Sequence, residues 1–302
     1  MTEPAYHIPA LLDETIQALD IKPGGTYVDV TFGGGGHSRA ILDHLGPDGR
    51  LISFDQDEEA VAGAFDDPRF TIVHGNFRFL RNYLRFYGAG EVDGILGDLG
   101  VSFHHFDDPA RGFSFRHTGP LDMRMNPRAK VSAAQLLATM TAEQLATILK
   151  LYGELSQASR MAKAIVAARD EAPVDTVERL LGIVEPLINP RQQKKELAQL
   201  FQALRIEVND EIHALEALLR QALQSLRPGG RLAIITYHSL EDRLVKNFMR
   251  TGDLKGKESK DFFGRNLSPV RLLTSKPIVP ADAEVERNPR SRSAKLRVAV
   301  KL

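Results

Sequence analysis

The sequence of 302 residues contains no cysteine and no tryptophan. Without cysteine the chain has no disulfide, no thiolate-ligated metal site and no cysteine nucleophile. No stretch approaches the roughly 18 consecutive apolar residues that a membrane span needs. The N-terminal residues lack the basic and apolar regions of a secretory signal. These absences predict a cytoplasmic protein without membrane association, and no metal site is predicted.

Net charge is also absent, because 39 basic residues balance 39 acidic ones. The charges are nevertheless unevenly placed. From Arg243 to Leu302 there are 15 Lys or Arg and 6 Asp or Glu, an excess of +9, which leaves −9 on the remainder. A basic C-terminal quarter is typical of a surface that binds a polyanion, although a solvated Lys/Arg-rich loop has the same composition.

Apolar strands alternate with helical stretches in the N-terminal third of the chain, which predicts a parallel α/β sheet. This pattern stops after about residue 107, and only helical periodicity follows until about 195. We predict a discontinuous sheet domain, residues 1–106 and 204–302, with an all-helical insertion at 107–203. A long apolar stripe predicts one helix over 195–226, which is compatible with either a core or a homodimer interface. The predicted strands are 26–32, 51–55, 70–73, 92–98, 232–237 and a final edge strand at 294–300.

Four consecutive glycines, Gly33 to Gly36, follow the first predicted strand and precede a helix predicted from Ser38. Glycine is favoured where the backbone turns sharply or approaches a ligand, and a helix start offers free N–H groups. Asp55 closes the next strand, 22 residues after Gly33, where an acid that binds ribose hydroxyls is expected. The loop therefore predicts a cofactor that contains a ribose.

The choice of cofactor depends on two further positions. A dinucleotide fingerprint needs a third glycine where this chain has Ser38. Asp29, inside the first strand, would help to place the positive charges of S-adenosylmethionine, and as a buried carboxylate it needs a partner. These residues favour S-adenosylmethionine over NAD, and a glycine turn without any ligand remains an alternative.

Polar residues also follow two later strands, at the edge where open α/β sheets place their chemistry. Asp98 ends the fourth strand, and Tyr237 and His238 end the fifth. Asp98 is a candidate catalytic residue, with a turn aspartate as the alternative. His238 is a weaker catalytic candidate that would equally serve a rim hydrogen bond. Ser239 is predicted to cap the next helix and not to act as a nucleophile.

Eight ordered motifs are distributed from residue 7 to residue 293, namely His7–Glu14, Thr31–Ser38, Asp98–Ser102, Arg111–Phe115, Gly119–Met125, Phe201–Ile206, Tyr237–Arg243 and Asn288–Ser293. Together they closely resemble the ribosomal RNA small-subunit methyltransferase H family, also called MraW.

The resemblance implies a class I, Rossmann-like S-adenosylmethionine-dependent methyltransferase fold with an inserted helical domain. It implies methyl transfer to N4 of a cytidine in the decoding centre of 16S ribosomal RNA, with the small subunit as partner. At position 105 the family usually has glutamine where this chain has histidine. The cofactor-binding positions that the resemblance implies are Gly35, Gly36, His37, Asp55, Phe77, Asp98 and His105.

The absence of cysteine fits methylation of an exocyclic amine, since methylation at C5 of a pyrimidine requires a covalent adduct, normally from a thiolate. We expect Asp98 to lie beside both the methyl donor and the target amine. Phe103 and Tyr237 are candidate stacking faces for an unstacked base, and Arg290 and Arg292 are candidate phosphate contacts. Lys295 and Arg297, in the terminal strand, are expected on a solvated face. Asp122 and Arg124 are expected to form either an internal ion pair or part of the substrate mouth. Methylation of another nucleophile and an RNA assembly factor without turnover are the competing hypotheses.

Overall fold

The computed structural model describes residues 9–100, 106, 108–265 and 267–302. Phe103 and His105 lie outside the described residues. The chain divides into two compact units, one formed by residues 1–100 and 212–302 and the other by residues 101–211. Both divisions fall within eight residues of the sequence-based boundaries at 106/107 and 203/204.

The strands are β1 (Thr26–Asp29), β2 (Arg50–Asp55), β3 (Phe70–His74), β4 (Val92–Asp98), β5 (Leu226–Thr236), β6 (Val270–Leu272) and β7 (Lys295–Lys301). The helices are α1 (Leu12–Leu19), α2 (Gly36–His44), α3 (Glu58–Ala62), α4 (Leu80–Phe86), α5 (Ala133–Thr139), α6 (Ala142–Leu151), α7 (Ala158–Glu171), α8 (Val177–Val184), α9 (Gln193–Asn209), α10 (Glu211–Ser225), α11 (Ser239–Thr251) and α12 (Asp282–Arg287).

The first unit is built on a seven-stranded sheet in the order β3-β2-β1-β4-β5-β7-β6. β1 to β5 are parallel, whereas β7 runs antiparallel to both β5 and β6. Two clusters of buried side chains cover this sheet, one of them containing Val28 and Ile95 and the other Leu51 and Leu96. The predicted fold class, an α/β sheet with a helical insertion, is confirmed. Because β1 to β5 are parallel, their carboxyl ends meet at one edge, the rim.

Two expectations about the sheet and its longest helix are wrong. β7 is not an edge strand, because the three-residue strand β6 pairs with its outer side. β6 lies in a polar, turn-rich segment and is too short to produce an alternating pattern. The helix predicted at 195–226 is interrupted at Asp210, whose φ of 52° is left-handed. The apolar stripe continues on both sides of this break and conceals it.

The second unit is helical and has a core of its own, which contains Leu145, Met161, Leu180 and Leu200. Its helices begin at strong local signals. Ser132 with Gln135 and Thr141 with Gln144 form capping boxes that satisfy the first N–H groups of α5 and α6.

Arg124 is paired with Asp122 inside the helical unit. Its Nε and Nη2 lie 2.7 and 2.6 Å from the two carboxylate oxygens. Nη1 of the same arginine donates to the carbonyl of Ala129 at 2.7 Å. The expected internal ion pair between these residues is therefore present, and it shapes the loop that precedes α5.

Candidate active site at the rim of the sheet

The glycine loop joins β1 to α2 and is shaped by two tight contacts. Gly35 has a φ of 78°, and a Cβ added there would lie 2.6 Å from Cζ of Phe65. A Cβ on Gly36 would lie 2.7 Å from Cγ of Pro9. α2 begins at Gly36, two residues before the predicted start. The glycines are therefore required because the loop is enclosed by an aromatic ring on one side and by the N-terminal segment on the other.

Asp55 fixes the same loop from the end of β2. Its Oδ2 accepts a hydrogen bond from the N–H of Gly33 at 2.8 Å, and its Oδ1 accepts one from the N–H of Asp57 at 2.9 Å. Burial raises the pKa of the Asp55 carboxyl, and these backbone hydrogen bonds oppose that effect. The backbone of Gln56 is a third hydrogen-bond partner of this carboxylate. A carboxylate has about four lone-pair sites, so Asp55 keeps the capacity to accept a further hydrogen bond from a ribose hydroxyl.

Asp29 is buried beneath the loop with protein partners. Its Oδ2 accepts a hydrogen bond from the Ser38 hydroxyl at 2.7 Å, and that hydroxyl lies 2.8 Å from Oγ of Ser53. Its Oδ1 accepts hydrogen bonds from N–H and Oγ1 of Thr31. Burial raises the pKa of Asp29 to about 7. The partner that its burial required is thus Ser38, the residue that replaces the third glycine of a dinucleotide loop.

Asp98 ends β4 and is held by groups from two other strand ends. Its N–H donates to Oγ1 of Thr31 at 2.7 Å, and the Tyr237 hydroxyl donates to its Oδ1 at 2.8 Å. Burial raises the pKa of Asp98 to about 7, while the Tyr237 hydrogen bond lowers it and the charges of Asp29 and Glu241 raise it. The side chain keeps 21% of its exposure, so one carboxylate is both held by protein and accessible from the rim.

His37 faces the same carboxylate in a defined tautomer. Its Nε2 lies 3.1 Å from the carbonyl oxygen of Ala10, which is only an acceptor, so Nε2 carries the hydrogen. Burial lowers the pKa of His37 to about 4, and the ring is neutral. Nδ1 is therefore an unprotonated acceptor, and it lies 3.7 Å from Oδ2 of Asp98. Two facing acceptors of this kind suit an N–H donor placed beside both of them.

Phe77 follows β3 at the same rim and starts a short 3-10 helix, Phe77–Phe79. Asn76 caps that helix by accepting from the N–H of Arg78, and its Nδ2 donates to Oε1 of Gln56 at 2.8 Å. The loops after β2 and β3 are thereby joined next to Asp55. The structure brings together five of the predicted cofactor positions, namely Gly35, Gly36, His37, Asp55 and Asp98, with Phe77 on the adjoining loop.

His238 has a structural position at this rim. It is the N-cap of α11, and its Nδ1 accepts from the N–H of Glu241. Its Nε2 lies 3.2 Å from Oε1 of the same glutamate. Ser239 is the first helical residue and not the cap, so that expectation is wrong. A catalytic role for His238 stays a prediction.

The arginines of the C-terminal tail differ in burial and fall into two groups, one exposed and one buried. Arg290 and Arg292 are exposed on a short 3-10 helix, on either side of the buried Ser291. Arg297 was expected on a solvated face of the last strand, but it is buried and pairs with Asp242, with Nε–Oδ1 2.7 Å and Nη2–Oδ2 3.1 Å. The helix α11, which carries Asp242, packs against β7 and covers this side of the strand.

Sequence reasoning missed two contributions to the site. Thr31 links Asp29 to Asp98, and Tyr237 acts through its hydroxyl on Asp98 in addition to presenting a ring. Both residues lie in rim loops next to predicted acids. A polar residue one or two positions beyond a strand end, close to a buried carboxylate, is the signal that would have found them.

In the described part of the chain, no helix is long and apolar enough to cross a membrane.

Known proteins that share one name match this chain over nearly its whole sequence. Ribosomal RNA small subunit methyltransferase H of Bacteroides fragilis is 57% identical over 299 residues, which cover 99% of this chain and 98% of that protein. The protein of the same name from Parabacteroides distasonis is 58% identical over 298 residues, 98% of each chain.

A third relative with this name, from Porphyromonas gingivalis, is 53% identical over 305 residues, covering 99% of this chain and 98% of that protein. Residues 4–302 match the family described as the MraW methylase family. The resemblance carried by the eight motifs is confirmed, and the chain belongs to the MraW methylase family.

Proposed function

We propose that this protein transfers a methyl group from S-adenosylmethionine to N4 of a decoding-centre cytidine in 16S ribosomal RNA. The observation that carries the proposal is the pair of facing acceptors at the rim, Asp98 Oδ2 and His37 Nδ1, 3.7 Å apart. A group that accepts N–H hydrogen bonds suits an amine nucleophile. The names of the relatives support ribosomal RNA as the substrate.

S-adenosylmethionine is the cofactor that a methylase of this family uses, and the residues at the rim fit it. Asp55 retains a lone pair for a ribose hydroxyl, and the left-handed Gly35 lets the loop turn tightly between the end of β1 and the start of α2. The acceptors of Asp98 and His37 suit an ammonium group as well as an amine. When bound, the cofactor supplies an electrophilic methyl group on a positively charged sulfur.

The chemistry required of the protein is modest. The lone pair of a cytosine amine is delocalised into the ring, so the site must orient the amine and accept its N–H hydrogens. In its ionised form Asp98, which Tyr237 and Thr31 hold in place, is the acceptor. Transfer of the methyl group from sulfur to nitrogen would leave a positive charge on the amine, and the Asp98 carboxylate would stabilise that charge. The proton then passes to Asp98 or to water.

The absence of cysteine supports an amine as the target over the C5 carbon. Methylation of another nucleophile, such as a DNA base or a small molecule, is the alternative function. DNA amino-methyltransferases typically have Pro-Pro and an aromatic residue after the acid of the fourth strand, whereas Asp98 is followed here by Leu99 and Gly100. This difference favours RNA.

The partner in this proposal is 16S ribosomal RNA in the small subunit, encountered in the cytoplasm. We further propose that the helical unit serves substrate recognition. In this proposal Arg290 and Arg292, which belong to the sheet unit, contact phosphates of the RNA. Both arginines are exposed and neither lies in a regular strand. Loss of either one should weaken RNA binding and reduce its salt dependence.

The test is transfer of a labelled methyl group to small subunits from cells that lack the enzyme, followed by nucleoside analysis. The proposal predicts label in N4-methylcytidine. Label in another nucleoside would support a different base target, and transfer only to DNA or a small molecule would support the alternative function. Absence of any transfer, with the cofactor bound, would indicate an assembly factor without turnover.

A further inference from the structure

We propose that the outward face of the α4 segment, residues 78–86, is a second RNA-binding surface, which we call the α4 face. It presents two exposed phenylalanines, Phe79 at 50% and Phe86 at 79% relative exposure. The inner face of the same helix is fixed, since Leu80 and Leu84 are buried in the sheet core. The exposed rings are therefore displayed by an anchored helix.

Phe79 ends the short 3-10 helix and is the N-cap of α4, and Phe86 is the last residue of α4. The seven residues between them correspond to about two helical turns, or about 10 Å along the axis, which brings the two rings to a similar side of the segment. Asn82, between them, is also exposed. Phe86 is further held by an edge-to-face contact with Tyr87, with ring centroids 5.0 Å apart. Aromatic faces spaced along a rigid surface are the form that stacking platforms for single-stranded RNA take.

The charge of the α4 face identifies its partner. Arg78, Arg81 and Arg85 fall at spacings of three and four residues, and the sequence has no acidic residue between Asp67 and Glu91. The Arg81 guanidinium donates to the neutral amide oxygen of Gln224 at 2.7 Å, so this contact orients its charge without cancelling it. Arg85 is exposed. Cations interleaved with aromatic rings favour a nucleic acid.

The same charge disfavours a second copy of this chain as the occupant. Two α4 faces packed on each other would bring six arginines together without a carboxylate from either segment, and such like-charge juxtaposition is unfavourable. The segment also starts at the rim, immediately after Phe77 and the capping residue Asn76. The end of the α4 face that carries Phe79 therefore lies next to the rim, where the target base is proposed to bind.

This inference rests on the proposed function for the identity of the RNA, but its test is separate. The full-length protein and its variants are titrated against a short, unstructured, fluorescein-labelled RNA at several salt concentrations. The Phe79→Ala/Phe86→Ala variant should bind more than tenfold more weakly, since each of the two lost stacking contacts costs a factor of roughly five or more. Arg85→Gln should lower the slope of log affinity against log salt by about one.

The chain offers a matched control. Phe79 and Phe86 are both exposed, so a hydroxyl added to either ring would point into solvent without disturbing the core. The Phe79→Tyr/Phe86→Tyr variant keeps both aromatic faces and should bind RNA within twofold of the wild type. If the α4 variant binds as well as the wild type, or if the control loses as much affinity, the proposal is wrong.

Two further readouts separate the possible failures. Cofactor affinity of the α4 variant should equal that of the wild type, which shows that the fold and the rim are intact. If the wild type is a dimer and the α4 variant is a monomer with unchanged RNA affinity, the α4 face joins two copies of the chain and the proposal is overturned. If the wild type produces no N4-methylcytidine but the α4 variant still loses RNA affinity, the proposed function is wrong and RNA binding by the α4 face is supported.

Discussion

The hydrogen bond from Tyr237 to Asp98 makes a testable prediction about pH. The pKa of Asp98 is raised to about 7 by burial, and the Tyr237 hydrogen bond acts in the opposite direction by favouring the carboxylate. If the ionised form accepts the target N–H, activity must rise as pH increases through this range. In Tyr237→Phe the stabilising hydrogen bond is absent, so Asp98 ionises at higher pH. The rising limb of the pH–activity profile therefore moves to higher pH.

The size of the displacement follows from the geometry. The hydrogen bond is 2.8 Å long, and its acceptor is charged. Hydrogen bonds to charged groups contribute about 1.5–3 kcal/mol, and one pKa unit corresponds to roughly 1.4 kcal/mol. The limb should therefore move upward by about one pH unit or more. The rate at pH 7 should fall severalfold and recover towards the wild-type value at high pH.

The assay is the pH dependence of kcat/KM for the cofactor, which reports ionisations in the enzyme before the cofactor binds. Tyr27→Phe is the control, because its hydroxyl accepts from the backbone N–H of Lys22 at the opposite end of the sheet. An unmoved limb in Tyr237→Phe would refute the reasoning. So would a limb that falls with increasing pH in the wild type, because the protonated acid would then be the active form.

Two further substitutions test the loop and the buried pair. Gly35→Ala should weaken S-adenosylmethionine binding at least tenfold in calorimetric titration, because its φ is 78° and the new Cβ would meet the Phe65 ring at 2.6 Å; affinity equal to the wild type would contradict this view of the loop. Arg297→Met should destabilise the fold by about 3–5 kcal/mol in chemical denaturation, since it leaves the Asp242 carboxylate without the partner that binds both of its oxygens, and Asp242→Asn/Arg297→Met should recover part of that loss.

Much of the sheet was predictable because its strands are short apolar runs bounded by turn residues. β4 was predicted at its observed bounds, and β2 and β3 within one residue. β6 escaped prediction because three residues in a polar segment carry no periodicity. The break at Asp210 was missed because its apolar stripe continues, although Asn209 and Asp210 are residue types that end helices in a left-handed turn.

The acids of the site were predictable and their partners were not. Asp55 and Asp98 could be placed at the rim because they end strands of a parallel sheet. Which groups bind them depends on register and on loop conformation, which local sequence does not specify. Thr31, Tyr237 and the tautomer of His37 became evident only from the distances between the loops. Arg297 was misjudged because strand alternation alone does not reveal that its side is covered.

The most direct test of the central claim compares wild type with Asp98→Asn in one experiment. Small subunits that lack the modification are treated with saturating S-adenosylmethionine under single-turnover conditions, and N4-methylcytidine is quantified by mass spectrometry. Asparagine keeps the size of the side chain but removes the charge that stabilises the amine, so the rate constant should fall by about 100-fold or more. Formation of N4-methylcytidine at the wild-type rate by Asp98→Asn, or its absence with the wild type, would contradict the account.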